Sequence, residues 1–207
     1  MDFNEWKDIY EDIIEDFGYS KEKDSYAANL LSELRGTDSI KPLKEIKGKV
    51  IDISGPFITK AYGDYKIAAG STLKKMNKIK LKPDLIVTDL DGDTKLQVDY
   101  NNKGIPIVIH AHGDNIDILK EWAPKLKGTV ISTCQSEPVR GVYNFGGFTD
   151  GDRAALIADH FGAEKIILNG WKFDEPFSKN NKRVKGKKLR WAEKILNLID
   201  TPITQVY

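Results

Sequence analysis

Apolar residues in the first part of the chain recur at three- and four-residue steps. Phe3, Trp6, Tyr10, Ile13 and Phe17 make one stripe, which predicts an amphipathic helix. Asp2 and Glu5 have the spacing of a capping box with Asp in place of Ser or Thr, and Gly18 suits the carboxyl end. A second helix is predicted from Ser25 to Arg35, with Ala27, Leu30, Leu31 and Leu34 on its apolar side and Gly36 as its stop. Helices this short cannot bury their stripes on each other alone, so they must pack on the remainder of the chain. Residues 1–45 therefore read as an N-terminal helical subdomain, and 46–207 as a second, α/β domain.

From Lys49 the period changes. Short β-rich runs at Val50 to Ile53, Tyr65 to Ala69, Leu85 to Thr88, Ile105 to His110, Thr129 to Thr133, Val142 to Phe145 and Lys165 to Leu168 alternate with helical patterns. Helices are predicted from Asn115 to Leu126 and from Asp150 to Phe161, the latter closing at Gly162. A basic amphipathic helix spans roughly Lys187 to Leu198. Strands alternating with helices specify βαβ units, hence an α/β fold with a mostly parallel open sheet and flanking helices.

At 207 residues the chain can build one ample core. A net charge of +1 argues against a dedicated nucleic-acid binder, for which a basic excess is the footprint. The charge is uneven, acidic over residues 1–35 and basic from Lys179 to Arg190. Solvated faces account for both, with a phosphate-facing role for the basic run as the alternative. The single cysteine, Cys134, excludes an internal disulfide and reads as a buried, inert thiol on a strand. No segment has the apolar length of a membrane span and the amino terminus does not resemble a signal peptide, so no membrane partner and a cytoplasmic location are expected.

Candidate chemistry lies at the carboxyl ends of the predicted strands, where an open α/β sheet binds its ligands. Asp89-Leu90-Asp91-Gly92-Asp93 ends one run. An Asx turn explains one Asp and one Gly there, but not three carboxylates in five residues. Metal coordination, with Asp89 and Asp91 as direct ligands of a divalent cation, fits better. His110-Ala111-His112-Gly113-Asp114-Asn115 ends the next run. His110 and His112 invite a zinc reading, against which His110 lies inside the strand and Mg²⁺ prefers oxygen. Asp114 then becomes the metal or substrate group and His112 a contact to phosphate or base, while Asn115 either touches ligand or caps a helix.

In Gly146-Gly147-Phe148-Thr149-Asp150-Gly151-Asp152-Arg153, a capping box accounts for Thr149 and Asp152. Asp150 and Arg153 remain for ligand, and helix amino termini attract phosphate. Asp89, Asp91, Asp114 and Asp150 converge only if the open sheet forms. Two glycine turns, at Ser54-Gly55-Pro56 and Ala69-Gly70-Ser71, allow close backbone approach to a nucleotide without matching a complete phosphate-loop motif. Trp171 reads as a packed aromatic, with stacking on a heterocycle as its alternative.

In order and spacing, Ala68-Ala69-Gly70, Thr88-Asp89-Leu90-Asp91-Gly92, His110-Ala111-His112-Gly113-Asp114-Asn115 and Phe148-Thr149-Asp150-Gly151-Asp152-Arg153-Ala154 resemble the archaeal 6-hydroxymethyl-7,8-dihydropterin pyrophosphokinases. That family is distantly similar to thiamin pyrophosphokinases. The resemblance covers roughly residues 50–170 and implies a Rossmann-like sheet and Mg²⁺-dependent transfer of diphosphate from ATP to a hydroxymethylpterin, releasing AMP. It implies Asp89, Asp91 and Asp150 as metal ligands, with Asp114 and Asp150 acting in catalysis. Nucleotide contacts are expected from Gly55, Gly70, Ser71, His112, Asn115, Thr149 and Arg153. Ser54-Gly55-Pro56-Phe57 and Lys172 depart from the family's pattern. The expected partners are ATP and the pterin, with homo-oligomerisation left open. Two other functions fit an Asp-x-Asp after a strand: a sugar-nucleotide transferase, and a non-catalytic nucleotide-binding module.

Overall fold

Near-continuous apolar runs suit strands covered on both faces, and the structure places them so. This computed structural model describes residues 1–35, 39–173 and 182–207. In chain order the helices are α1 (Phe3–Phe17), α2 (Lys21–Arg35), α3 (Thr72–Lys78), α4 (Thr94–Asn102), α5 (Ile116–Trp122), α6 (Asp150–His160) and α7 (Lys182–Leu196). The strands are β1 (Val50–Ser54), β2 (Tyr65–Ala69), β3 (Leu85–Thr88), β4 (Ile107–Ala111), β5 (Val130–Cys134), β6 (Val142–Tyr143), β7 (Lys165–Asn169) and β8 (Ile203–Val206). They form one sheet in the order β6-β5-β4-β3-β2-β1-β7-β8, with every neighbouring pair parallel. The chain moves outward from β1 to β6 and then returns to the other side of β1. The strand order therefore reverses between β1 and β7, the kind of place where open sheets hold ligands.

Every residue of β3, β4 and β5 is buried. One core lies between the sheet and α2 to α5, through Leu31, Leu73, Val98 and Leu119. The other lies beneath α6 and α7, through Ala154, Ala155, Ile157 and Leu196. A third cluster seats α1 against α6 and α7 through Trp6, Tyr10, Ile13, Phe148, Leu156 and Ile195. The N-terminal helices thus bury their stripes on the α/β body, as their length required. The capping box at Asp2 and Glu5 forms, and Gly18 closes α1 in the left-handed conformation.

Three elements escaped the hydrophobic pattern. In α4 the inward positions include Gln97 and Asn101, both fully buried, so the apolar stripe is broken by polar residues. The Asn101 amide donates to the carbonyls of Ile105 and Thr129 and accepts from the Gly128 amide, which satisfies it in the core. Helix α3 is too short and lysine-rich to show a period, and β8 is a half-exposed edge strand with only Ile203 and Val206 apolar. Several boundaries move. Helix α2 begins at Lys21 because Ser20 accepts the Lys23 amide, and α5 ends at Trp122 in a short 3-10 turn containing Pro124. Strand β4 begins only at Ile107, since the Ile105 amide is spent on Tyr100; β6 is two residues long, and α7 begins at Lys182. The expected stop at Gly36 lies outside the described residues, as do residues 179–181 of the basic run.

Because Leu31 is fully buried between α2 and the sheet, Leu31→Ala should cost about 2–5 kcal/mol of stability. Urea unfolding should show a lower midpoint with an unchanged slope.

Candidate active site

Thr88, the last residue of β3, sets the geometry of the acidic loop. Its hydroxyl accepts the Leu90 amide at 2.9 Å and the Gln97 side chain at 3.1 Å. Leu90 takes a left-handed backbone, φ 67°, while its side chain is buried in the core. A leucine in that region costs on the order of 1 kcal/mol, so the surrounding packing must hold it there. The chain therefore turns directly after β3 instead of running on as an extended strand. The Asp91 amide donates to Asp89 Oδ1 at 3.1 Å, so an Asx turn and a carboxylate pair coexist. Asp93 departs from the cluster and caps α4 by accepting the Leu96 amide.

Asp150, the first residue of α6, supplies the third carboxylate. Oxygens of Asp89, Asp91 and Asp150 lie within 4.8 Å of one another. Gly70, at the end of β2, permits this approach. It has φ +54°, and a side chain there would collide with the Asp150 carboxylate. Gly151 does the same on the other side, since a methyl group would strike the Trp171 indole. Asp152 faces inward, accepting the backbone amides of Phe148 and Thr149 at 2.7 and 2.8 Å and also the Thr149 hydroxyl. The capping box is therefore real, and it engages both the Thr149 amide and its hydroxyl. Arg153 is buried, with Nη1 3.3 Å from Asp150 and Nη2 on the Gly147 carbonyl, while Nε has no partner among the described residues.

The electrostatics reflect this crowding. Burial raises Asp91 to about 7, reinforced by repulsion and a hydrogen bond from Asp89 and opposed by Lys188 and Lys185. Burial and the charge of Asp89 push Asp150 well above the carboxylate range, against the pull of Arg153. Burial acts in the same sense on Asp89, but hydrogen bonds from His112 and Asp91 outweigh it and hold that carboxyl below its usual range. Without a cation the cluster therefore keeps a proton. A donor set of carboxylate oxygens, without His or Cys, suits a hard divalent ion.

His112 extends the cluster, with Nε2 3.4 Å from Asp89. His110 does not join it. It is buried in β4 with Nδ1 on Thr133, as a core histidine. Asn115 is buried as well, and its amide ties the Asp89 and His110 carbonyls together while accepting the His112 amide. It braces the loops beneath the site, makes no side-chain cap bond and is not among the residues lining the cavity. A cavity of about 400 Å³ opens above these residues. Gly70, Ser71, His112, Asp114, Thr149 and Arg153 line it alongside the three carboxylates. Asp114 is exposed and stands outside the close group of three. Gly55 does not line the cavity, because it sits behind Trp171, whose indole N–H donates to the Ile53 carbonyl at 2.8 Å.

The chain belongs to the MptE-like family of 6-hydroxymethylpterin diphosphokinases, whose model matches residues 39–176. A 6-hydroxymethyl-7,8-dihydropterin pyrophosphokinase from Methanocaldococcus jannaschii is 36% identical over 98% of both chains. The protein of the same name from Pyrococcus furiosus is 37% identical over 95% of this chain and 93% of that one. A third, from Methanothermobacter thermautotrophicus, is 30% identical over 97% and 96%. No helix among the described residues is long and apolar enough to cross a membrane.

Sequence reasoning missed part of the wall. Tyr19, Asp24 and Gln135 line the cavity, yet Asp24 had no signal separating it from the other acids of the first helices. In the basic run, Lys185 and Lys188 face the cavity, whereas Lys187 pairs with Asp16 at 2.8 Å. The Trp191 indole reaches the same Asp16, and these contacts tie α7 to α1. Cys134 is buried, and burial pushes its thiol up to about 12, which makes it inert.

An acid whose folded pKa lies above its unfolded value binds its proton more tightly when folded. The contribution of Asp91 to stability is therefore present below about pH 4 and lost as pH rises through about 7. With chelator present, the melting temperature should fall between pH 5 and 8, and Asp91→Asn should reduce that fall in thermal melts.

Proposed function

We propose that this protein transfers diphosphate from ATP to the hydroxymethyl oxygen of 6-hydroxymethyl-7,8-dihydropterin and releases AMP, as a step in folate- or methanopterin-type biosynthesis. The observation that carries this reading is the group of three carboxylates within 4.8 Å at the carboxyl edge of the sheet. In a chain of this family it supports a Mg²⁺ site of Asp89, Asp91 and Asp150. The chemistry a bound cation supplies there is neutralisation of phosphate charge.

The remaining work falls to positioning and electrostatics, which suffice for phosphoryl-type transfer without a covalent nucleophile. Arg153 braces Asp150 at the cavity wall, and Lys185 and Lys188 bring positive charge to the same wall. The Gly70-Ser71 backbone and the amino terminus of α6 provide close approach for the phosphates. His112 orients Asp89 and contacts phosphate from the same edge. As the pterin oxygen bonds to the β-phosphorus, the bond from that phosphorus to the oxygen bridging toward the α-phosphorus breaks. The bridging oxygen leaves on AMP, and Asp114, exposed in the cavity, takes the alcohol proton.

The test is AMP formation from ATP and Mg²⁺, with the pterin as acceptor and thiamin in a parallel reaction. Pterin-dependent AMP should fall by more than about a hundredfold in Asp89→Ala and Asp150→Ala proteins and on chelation. Acceptor-independent nucleotide binding without AMP would contradict the proposal.

A further inference from the structure

The cavity has two chemically different ends. Around the three carboxylates the neighbouring side chains are cationic, namely Arg153, Lys185 and Lys188. Toward the junction of α1 and α2 the wall is aromatic and carries the acid Asp24, with Lys23 beside it and Lys188 Nζ 5.4 Å over the Phe148 ring. The Tyr19 ring stacks on Phe17 at 5.3 Å and 11°, and Phe148 packs against both at 5.1 and 6.4 Å. Tyr19 and Phe148 both line the cavity, as does Asp24.

Asp24 is 2% exposed, and its carboxylate accepts three hydrogen bonds from the described residues. It takes the Gly113 amide at 2.7 Å on Oδ1, and the Tyr10 hydroxyl at 2.8 Å and the Gln135 amide at 2.9 Å on Oδ2. A carboxylate accepts about four hydrogen bonds, so one acceptor position is left on a buried acid that faces a ligand cavity. Structural roles alone do not require that spare capacity at the cavity wall. A flat heterocycle with donors on its edge would use both the acid and the aromatic surface.

Edge chemistry decides which heterocycle fits. Adenine presents an amino donor next to a ring-nitrogen acceptor, so a carboxylate meets one donor and one repelling lone pair. A 2-amino-4-oxopteridine presents its N3–H and 2-amino donors side by side, so one takes the acceptor position left on Asp24 while the other sets no lone pair against the carboxylate. We propose that Asp24 and Tyr19 form the seat of the acceptor ring, with the 2-amino edge donating to Asp24 and the ring plane lying on Tyr19. This assignment rests on the pterin reading of the site. It makes the N-terminal helices the carriers of acceptor specificity and leaves the nucleotide to the cationic end.

The experiment tracks fluorescence on titrating the full chain with 6-hydroxymethylpterin and with 6-hydroxymethyllumazine, in which oxygen replaces the 2-amino group. The parent should bind the pterin at least about tenfold more tightly than the lumazine, and Asp24→Asn should lose most of that preference. Tyr19→Ala, at a half-exposed position that spares the buried acid, should weaken both ligands by about fivefold or more. Both variants should bind a non-hydrolysable ATP analogue within about twofold of the parent, since neither residue faces the phosphates. An unchanged preference in Asp24→Asn, or an unchanged pterin affinity in Tyr19→Ala, overturns the assignment while leaving the reaction standing. A parent that binds the ATP analogue but neither pteridine overturns the pterin reading itself, and this assignment with it.

Discussion

Mutual repulsion of three carboxylates at the carboxyl edge of the sheet is the constraint that organises this molecule. Asp89, Asp91 and Asp150 come from two segments far apart in sequence, and nothing in their own chemistry would gather them. The scaffold does so by burying Leu90 in a left-handed turn, by leaving no side chain at Gly70, and by running α6 across β1, β2 and β3. Packing energy from the two cores thus holds groups that would separate if free. The crowding is visible in the protonation pattern, with Asp91 and Asp150 raised and Asp89 lowered.

Around that centre, buried polar side chains do the joining. Asn115 ties the loop after β3 to the loop after β4, and Asp24 ties α2 to the same second loop and to Gln135 after β5. The Trp6 indole reaches the Gln135 carbonyl, so α1 is locked to the same corner. These bonds lie in low dielectric, where a satisfied group fixes one arrangement and an orphaned one is costly. The N-terminal helices are for this reason part of the cavity wall as well as a cover for the sheet.

Most of the framework was legible because it rests on period and punctuation. Strands β3, β4 and β5 are buried on both faces and read as apolar runs, and the glycine and aspartate clusters mark their carboxyl ends. Asp89, Asp91 and Asp150 could be singled out on those grounds, and the open sheet brings them together. What stayed hidden depended on tertiary contacts. Asp93 looks like a fourth site acid but is spent on a helix cap. Asn115 looks like a ligand contact or cap but braces two carbonyls. Asp24 looks like surface charge until Tyr10, Gln135 and Gly113 are found around it, and α4 was hidden because two of its three buried positions are amides.

Binding of Mn²⁺ alone, monitored by loss of the free-ion paramagnetic resonance signal, tests most directly whether the gathered carboxylates form a cation site. At pH 8 the protein should take up the ion, more tightly with an ATP analogue present, and Asp89→Asn and Asp150→Asn should each weaken that uptake by about tenfold or more. A free-ion signal that the folded parent lowers neither alone nor beyond the drop caused by the nucleotide analogue by itself would contradict the account.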